Sequence, residues 1–511
     1  MYNQNKESSQ KRIISNSIFL YLRMLIVMGV TLYTSRVILE ALGIEDFGIY
    51  NVVGGLVAMF SFFTSSLANA TQRYLSFEIG GNNIAGIQKV FSLSILIYFI
   101  ISLIVIFLAE TVGLYFVKEK LVIPIDRMNA AIWVFQTTVL SLFFTINGVV
   151  FTSVLIAREN MKVFAYIGLL EAFLKLGIAF FISSSPFDKL KSYAVLILLS
   201  TILIQLLSLI ICKIKYEECK MSFSFDKKLF SSMFRFVGWN GFGTAVWAIN
   251  DYGISILLNM FFGPVVNAAK GISSQVNSAV NNLSMNIFTA VRPQVVKSYA
   301  NNDLEYFIKM LFLSSRYSFF LMLTLAIPLI YKANYVLNLW LELVPPDTSL
   351  FVVWVLIYSL VNVLTVPFWS SMLAIGDLRK YTLIGGGVFL LAFPISCLAL
   401  YLGAQALAVF KILAFMRLVY LFVSFKILST YINVSFRTYA MEVLSPILKV
   451  SIISAILGFI LDCFFNTSLI GFLLFITVFI IFQLGVIYGI GLNNRERLYV
   501  KLKLKCLRKY Y

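Results

Sequence analysis

A chain of 511 residues that is 60% hydrophobic and only 13% charged, with a mean hydropathy of +0.90, is not an ordinary soluble enzyme, whose charged fraction lies near a quarter. It contains no histidine, which removes His-based acid/base pairs, Ser-His-Asp triads and His-ligated metals, and Cys212, Cys219, Cys397, Cys463 and Cys506 show no C-x-x-C spacing, so neither a disulfide framework nor a metal site is indicated. The formal charge of +18 would suggest nucleic acid in a soluble protein, but here most of it falls in loops on one side of the apolar blocks and reads as topology; no nucleic-acid partner is expected.

The apolar blocks are about 20 residues long, enough to cross about 30 Å of hydrocarbon as helices. The polar stretch 1–12 precedes a first span too long for a signal core and without a small-residue cleavage site, so no cleavable signal is expected. In chain order the predicted spans are 15–39, 47–69, 90–110, 128–151, 162–183, 192–212, 237–261, 272–291, 308–331, 349–374, 381–402, 405–425, 441–462 and 468–490, fourteen in all. An even number puts both termini on one face. Alternating the connections gives that face about 27 Lys/Arg and the other about 7, which predicts cytoplasmic termini. The connection Glu110 to Arg127 is the longest on the exterior and is too short for a folded domain. The longest interior link holds FDKKLFSSMFRF from Phe225, predicted to lie as an amphipathic piece along the inner surface. The expected organisation is a six-helix bundle over 1–213, a linker over 214–235, a second six-helix bundle over 236–430, two additional spans over 431–492 and a basic tail over 493–511 suited to anionic lipid.

The two halves look duplicated. The stretch from Gly43 to Asn83 aligns with that beginning at Gly263, at an offset of about 220 residues, with Arg73 meeting Arg292 after one gap. In both, a glycine turn leads into a span closed by an arginine.

Charges inside spans are the main functional clue, because each costs at least about 2.5 to 3.5 kcal/mol at the membrane centre. Arg23, Arg36, Lys175, Arg316, Lys411, Arg417 and Lys449 fall there, with the acids Glu171 and Asp251. Counting from the glycine turns, Arg23 and Asp251 differ in depth by roughly 12 Å, whereas Asp251 lies within roughly 7 Å of Arg36 and Lys270. The expectation is an outer cluster of Arg36, Lys270 and Asp251, with Arg23 deeper. Arg36 has the alternative of snorkelling or pairing with Glu40, and Asp251 of a structural bond to a neighbouring helix. Glu171 and Lys175, spaced i,i+4, suit a self-neutralising pair. Span eight is polar around much of its circumference: Gln275, Ser278, Asn282 and Asn286 share one stripe, with Asn277, Asn281 and Ser284 beside it. Helix-packing glue is one reading; a wetted face for sugar hydroxyls above fixed positive charge is the other.

The run SRVILEALGIEDFGIYNVV from Ser35, followed by FFTSSLANATQRYLSFEIG from Phe62, resembles the Wzx-type polysaccharide flippases of the multidrug/oligosaccharidyl-lipid/polysaccharide exporter superfamily, the LG-x-x-x-FG-x-Y element being moderately specific. The resemblance implies an all-α polytopic fold of about fourteen helices. Two six-helix bundles face each other in a V, plus two C-terminal helices, in a bacterial inner membrane. It implies alternating access that moves an undecaprenyl-diphosphate-linked oligosaccharide to the outer leaflet, with cavity cations such as Arg23, Arg36 and Lys270 at the headgroup. The two extra spans are similar in number to those of lipid II flippases, which keeps lipid II as an alternative; a multidrug antiporter is another. No enzyme and no cofactor are expected: a polymerase or transferase needs larger exterior loops or clustered acids. No G-x-x-x-x-G-K-[ST] motif is present, so a coupling cation is a further partner to consider, with Asp251, Glu171 and Lys175 as the groups to test.

Overall fold

Backbone donors and acceptors in hydrocarbon have no water to bond, so apolar blocks of this length are stable only when each satisfies itself as a helix. The computed structural model follows that rule: no strand occurs among the described residues, and the chain is a multi-pass membrane protein. Described are residues 2–81, 83–216, 219, 226–376, 379–466, 468–498 and 501–502, with the side chains of 2–21, 239–240, 242, 284–290, 292–293, 296 and 300 outside the description.

Twelve described segments are long and apolar enough to cross a membrane. The first of them, Leu22–Gly80, turns back at Gly43 and so contains two of the predicted spans. The Pro264–Ala300 helix, the predicted eighth span, is too polar to be counted by composition although it is 37 residues long. The expected fourteen are thereby accounted for.

The fold divides into two units, residues 1–271 with 340–346, and residues 272–339 with 347–511. The first contains α1 (Tyr2–Ala58), α2 (Phe62–Gly80), α3 (Ile84–Glu119), α4 (Ile125–Ala157), α5 (Met161–Ser183), α6 (Lys189–Lys215), α7 (Lys227–Phe262) and the first turns of α8 (Pro264–Ala300). Helix α1 packs on α5, and α4 on α6, around a core that includes Val53, Leu56, Ile97, Phe135 and Val150. Short connections are closed by side-chain caps: Asn83 accepts from the amide of Gly86, Asp188 from Lys191, and Asp226 from Lys228 and Leu229.

The expectation for the segment around Phe225 meets a difference here. Residues 227–235 are the opening turns of the 36-residue α7 and not a separate surface helix. Asp226 caps the helix, and its apolar face docks on α2: Met233 is buried, Tyr74 Oη lies 2.7 Å from Ser232 Oγ, and the Arg73 guanidinium stands 5.1 Å above the Phe236 ring. Continuing the helix keeps backbone bonds that a bend onto the membrane surface would break.

The second unit continues with α9 (Leu304–Tyr331), α10 (Thr348–Ile375), α11 (Tyr381–Tyr401), α12 (Ala406–Ile432), α13 (Phe436–Phe464) and α14 (Leu469–Gly491). Helix α10 runs unbroken through Pro367. The last two helices are bolted to α9 by ion pairs with buried cations, Arg316 with Glu496 and Lys332 with Asp462, the latter at 2.6 Å. Lys332 Nζ also donates to the Phe465 carbonyl at 3.0 Å, and Tyr331 Oη to that of Ala455 at 2.8 Å. Arg316, one of the charges predicted inside a span, is thus neutralised by an acid beyond the last span.

Candidate functional site

The LG-x-x-x-FG-x-Y element is legible position by position. Gly43 has φ 77° and ψ 170°, a conformation essentially restricted to glycine, and there the chain reverses. Asp46 receives two bonds from Arg127, one from Nε at 2.7 Å and one from Nη2, while Arg127 Nη1 donates to Asp188 at 3.0 Å. One forked guanidinium therefore ties the α1 turn, the start of α4 and the start of α6 together. Phe47 is buried. Gly48 leaves room for a backbone: a Cβ there would stand 1.9 Å from the Pro264 carbonyl oxygen. Tyr50 stacks edge-on with Tyr193 at 4.8 Å. Outside the spans, Asp188 keeps its carboxyl below the usual range. Burial pushes it up, but the amide of Lys191 and the Arg127 guanidinium more than offset this.

Gly263 repeats the same turn, with φ 77° and ψ −173°. Next to it Asn259 is fully buried, accepting from the Val122 amide at 2.8 Å. Asn267 donates to the Ser255 carbonyl at 2.7 Å. Lys270 is buried, and its ammonium reaches the Asp251 carbonyl oxygen at 2.5 Å, Ser255 Oγ at 2.7 Å and Asp251 Oδ1 at 3.3 Å. Asp251 itself is exposed over 64% of its side chain.

The expected single cluster accordingly splits. Lys270 and Asp251 come together, but Arg36 pairs elsewhere, donating to Glu342 Oε1 at 2.5 Å, with Glu40 adding its charge nearby. The Glu342 carboxyl is held below its ordinary value by that bond. Beside it Trp340 Nε1 donates to the Leu32 carbonyl at 2.9 Å, so residues 340–346 lie along α1 as a strap. Neither Glu342 nor Trp340 drew attention in the sequence, since both sit in a short connection far from α1.

Arg23 lies apart from these groups. Its guanidinium is half-buried, 4.4 Å above the Phe164 ring, and Gly168 gives it space: a Cβ at that position would come within 2.4 Å of Arg23 Nε. That nitrogen is buried and makes no hydrogen bond to a described residue. One turn further along α5 from Gly168, Glu171 and Lys175 form their i,i+4 pair at 2.7 Å.

In the second unit the amides of α8 divide into two groups. Asn277 and Asn281 bond one another and Ser359 of α10, the packing arrangement. Ser278 and Asn282 are exposed, Ser278 bonding back to the Ser274 carbonyl at 2.9 Å. Gln275 is half-buried, with Oε1 unbonded to any described residue, and the side chain of Asn286 lies outside the described ones. Arg417 is enclosed by Asn362, Thr365 and three rings, of which Tyr420 is 4.6 Å away. Lys411 is exposed near Trp354.

No protein-family model and no curated protein matches the chain by sequence. Solved structures match by fold. The lipid II flippase MurJ in an inward closed conformation superposes at a TM-score of 0.68 over 93% of this chain and 99% of that one, with 15% identity. An inward-facing multidrug resistance MATE family transporter gives 0.63 over 80% and 94%, with 14% identity. A MOP superfamily transporter from Pyrococcus furiosus gives 0.60 over 82% and 95%, with 16% identity. At such identities the fold is what is shared.

Proposed function

We propose that this chain is a flippase of the multidrug/oligosaccharidyl-lipid/polysaccharide exporter superfamily, moving an undecaprenyl-diphosphate-linked oligosaccharide from the cytoplasmic to the outer leaflet of a bacterial inner membrane by alternating access. Both termini are cytoplasmic in this reading, two six-helix bundles carry the transport path, and α13 and α14 are additional to them. The observation that carries it is Arg23: a permanently charged group held inside a helical bundle by an aromatic face, with a buried N–H that no described residue satisfies. A diphosphate satisfies it by charge-assisted bonds, and the exposed Ser278 and Asn282 offer hydroxyl and amide groups to sugar. Lys270 already donates to Asp251 and Ser255 and contributes its field more than a free donor. Asp251 and Glu171, the latter with Lys175, are the acids to examine for a coupling cation.

Charge reversal tests the reading. Arg23→Glu in the native host is expected to accumulate the lipid-linked precursor and deplete surface polysaccharide. Unchanged glycan with altered drug sensitivity would instead favour an antiporter. One observation supports lipid II as the second reading: the MurJ structure covers 93% of this chain against 80% for the MATE transporter, and the clamped pair α13 and α14 is of the size to make up the difference. Lysis with a wall-precursor defect in Arg23→Glu would select it.

A further inference from the structure

One face of α5 carries an ordered row of groups. Phe164, Gly168, Glu171 and Lys175 recur every three or four residues and so share a stripe. Tyr166, Leu170, Phe173 and Phe180 form the opposite stripe, and all four are exposed, as apolar side chains facing acyl chains should be. The 44% and 43% exposure of the Glu171 and Lys175 side chains is therefore on the side of α5 turned away from lipid, where the helix packs on α1. On that side Phe164 and Gly168 seat Arg23, the one by its ring face and the other by its missing side chain. Glu171, one turn on, is near enough for its charge to act on Arg23, while its Oε1 takes a 2.7 Å bond from Lys175 Nζ. Two cations thus share one carboxylate, and the three groups together are positive. A metal cation at Glu171 would have to enter between two fixed like charges; an anion would be drawn to the same place.

We propose that Glu171 is a built-in counter-anion, holding the place of a phosphoryl group between Arg23 and Lys175, and that a diphosphate displaces it and takes Lys175 as its second ligand. The inference rests on the reading above that Arg23 receives the substrate headgroup. Every incoming anion must displace the same carboxylate, so Glu171 sets a threshold. The phosphodiester of an ordinary membrane lipid brings one charge and reaches one cation, which leaves it below that threshold despite its abundance. A diphosphate brings two phosphoryl groups, engages Arg23 and Lys175 together and exceeds it. The i,i+4 pair that must open is a weak one, and the displaced carboxylate turns into the open space it already borders, so the exchange buries no unpaired charge.

The test titrates the full-length protein, in nanodiscs of phosphatidylcholine, with farnesyl diphosphate, inorganic diphosphate and short-chain phosphatidylglycerol, and reads binding by calorimetry. Glu171→Gln is expected to tighten both farnesyl diphosphate and phosphatidylglycerol by about tenfold, because the competing carboxylate is gone. Adding Lys175→Gln to Glu171→Gln, which removes the pair whole, then weakens farnesyl diphosphate by about tenfold and phosphatidylglycerol by less than about twofold. Lys175→Arg in the same background restores the preference. A pair that only packs α5 gives a different pattern: Glu171→Gln leaves the affinities unchanged or lowers them, and that result overturns the exchange. So does a double variant that weakens both probes alike. Should the double variant fail to elute as a folded species, the sign of the Glu171→Gln effect decides. Inorganic diphosphate binding as tightly as farnesyl diphosphate keeps the exchange and sinks the lipid-linked reading. Precursor accumulation in Arg23→Glu with no tightening in Glu171→Gln keeps that reading and sinks the exchange.

Discussion

The two glycine hairpins share a backbone conformation and are anchored in opposite ways. The Gly43 corner is held by groups far away in sequence: Asp46 by Arg127, Arg127 by Asp188, Tyr50 by Tyr193. The Gly263 corner is held mostly by itself, since Asn267 and Lys270 on one arm bond the Asp251–Ser255 turn on the other. Asn259 adds a longer-range tie, accepting from the Val122 amide. Aligned on their glycines, Tyr50 stands where Lys270 does and Phe47 where Asn267 does. Apolar and forked partners therefore bolt the first corner to its bundle, whereas polar groups make the second a closed, self-contained clip. A clip that carries its own bonds keeps them when it moves. A bolted corner supplies the fixed surface against which it seats.

The largest effect is expected from unbolting the first corner. Arg127→Ala leaves Asp46 and Asp188 facing each other, only 16% and 29% exposed, at a cost of about 3 kcal/mol. The melting temperature in detergent should fall by several degrees. Arg127→Lys should restore only part of it, since a point charge cannot fork to two carboxylates. A loss under about 0.5 kcal/mol would mean the corner is not bolted. Next come the glycines themselves. Gly43→Ala and Gly263→Ala should each cost about 2 kcal/mol of strain and do so nearly equally, because their dihedrals match. Markedly unequal costs would break the equivalence of the corners.

How far the sequence carried this picture depended on the distance between partners. Helical spans, the glycine corners and the Glu171–Lys175 pair rest on local periodicity or on a short motif, and all are visible in a single sequence. Arg36 and Arg316 were visible only as charges in apolar runs; their partners, Glu342 and Glu496, are 306 and 180 residues away and carry no local mark. Depth counting brought Lys270 to Asp251 because both hang from one corner, and failed for Arg36 because it fixes height along the membrane normal but not azimuth around it. The division of the α8 amides into bonded and exposed groups needed the position of Ser359, which no pattern in α8 encodes.

The first corner should also show a pH dependence, through Asp188. The folded-state pKa of Asp188 is lowered, so its carboxylate stabilises the fold above the unfolded value of about 3.9, and that contribution is lost as pH falls through the folded value. Melting temperatures between about pH 6 and pH 3 should fall more steeply for the native chain than for Asp188→Asn, which begins lower and converges with it in acid. Parallel curves would show that Asp188 does not hold Arg127 in place.

Asp251→Asn should have the smallest effect, and it separates the two kinds of anchoring most finely. Lys270 makes its shorter bonds to the Asp251 backbone oxygen and Ser255 Oγ, and both survive the substitution; the carboxylate oxygen lost is the most distant of the three, on a side chain 64% exposed. A 3.3 Å contact to a carboxylate this exposed contributes no more than about 1 kcal/mol, so the melting temperature should stay within a degree or two. Ser255→Ala, which removes a half-buried acceptor from a buried ammonium, should cost more than Asp251→Asn despite removing no charge. The reverse order would mean that the clip is held by charge across its arms, as the first corner is, and the contrast between the two would disappear. A transport defect in Asp251→Asn without a loss of stability would place that exposed carboxylate in the path and free it from any part in the clip.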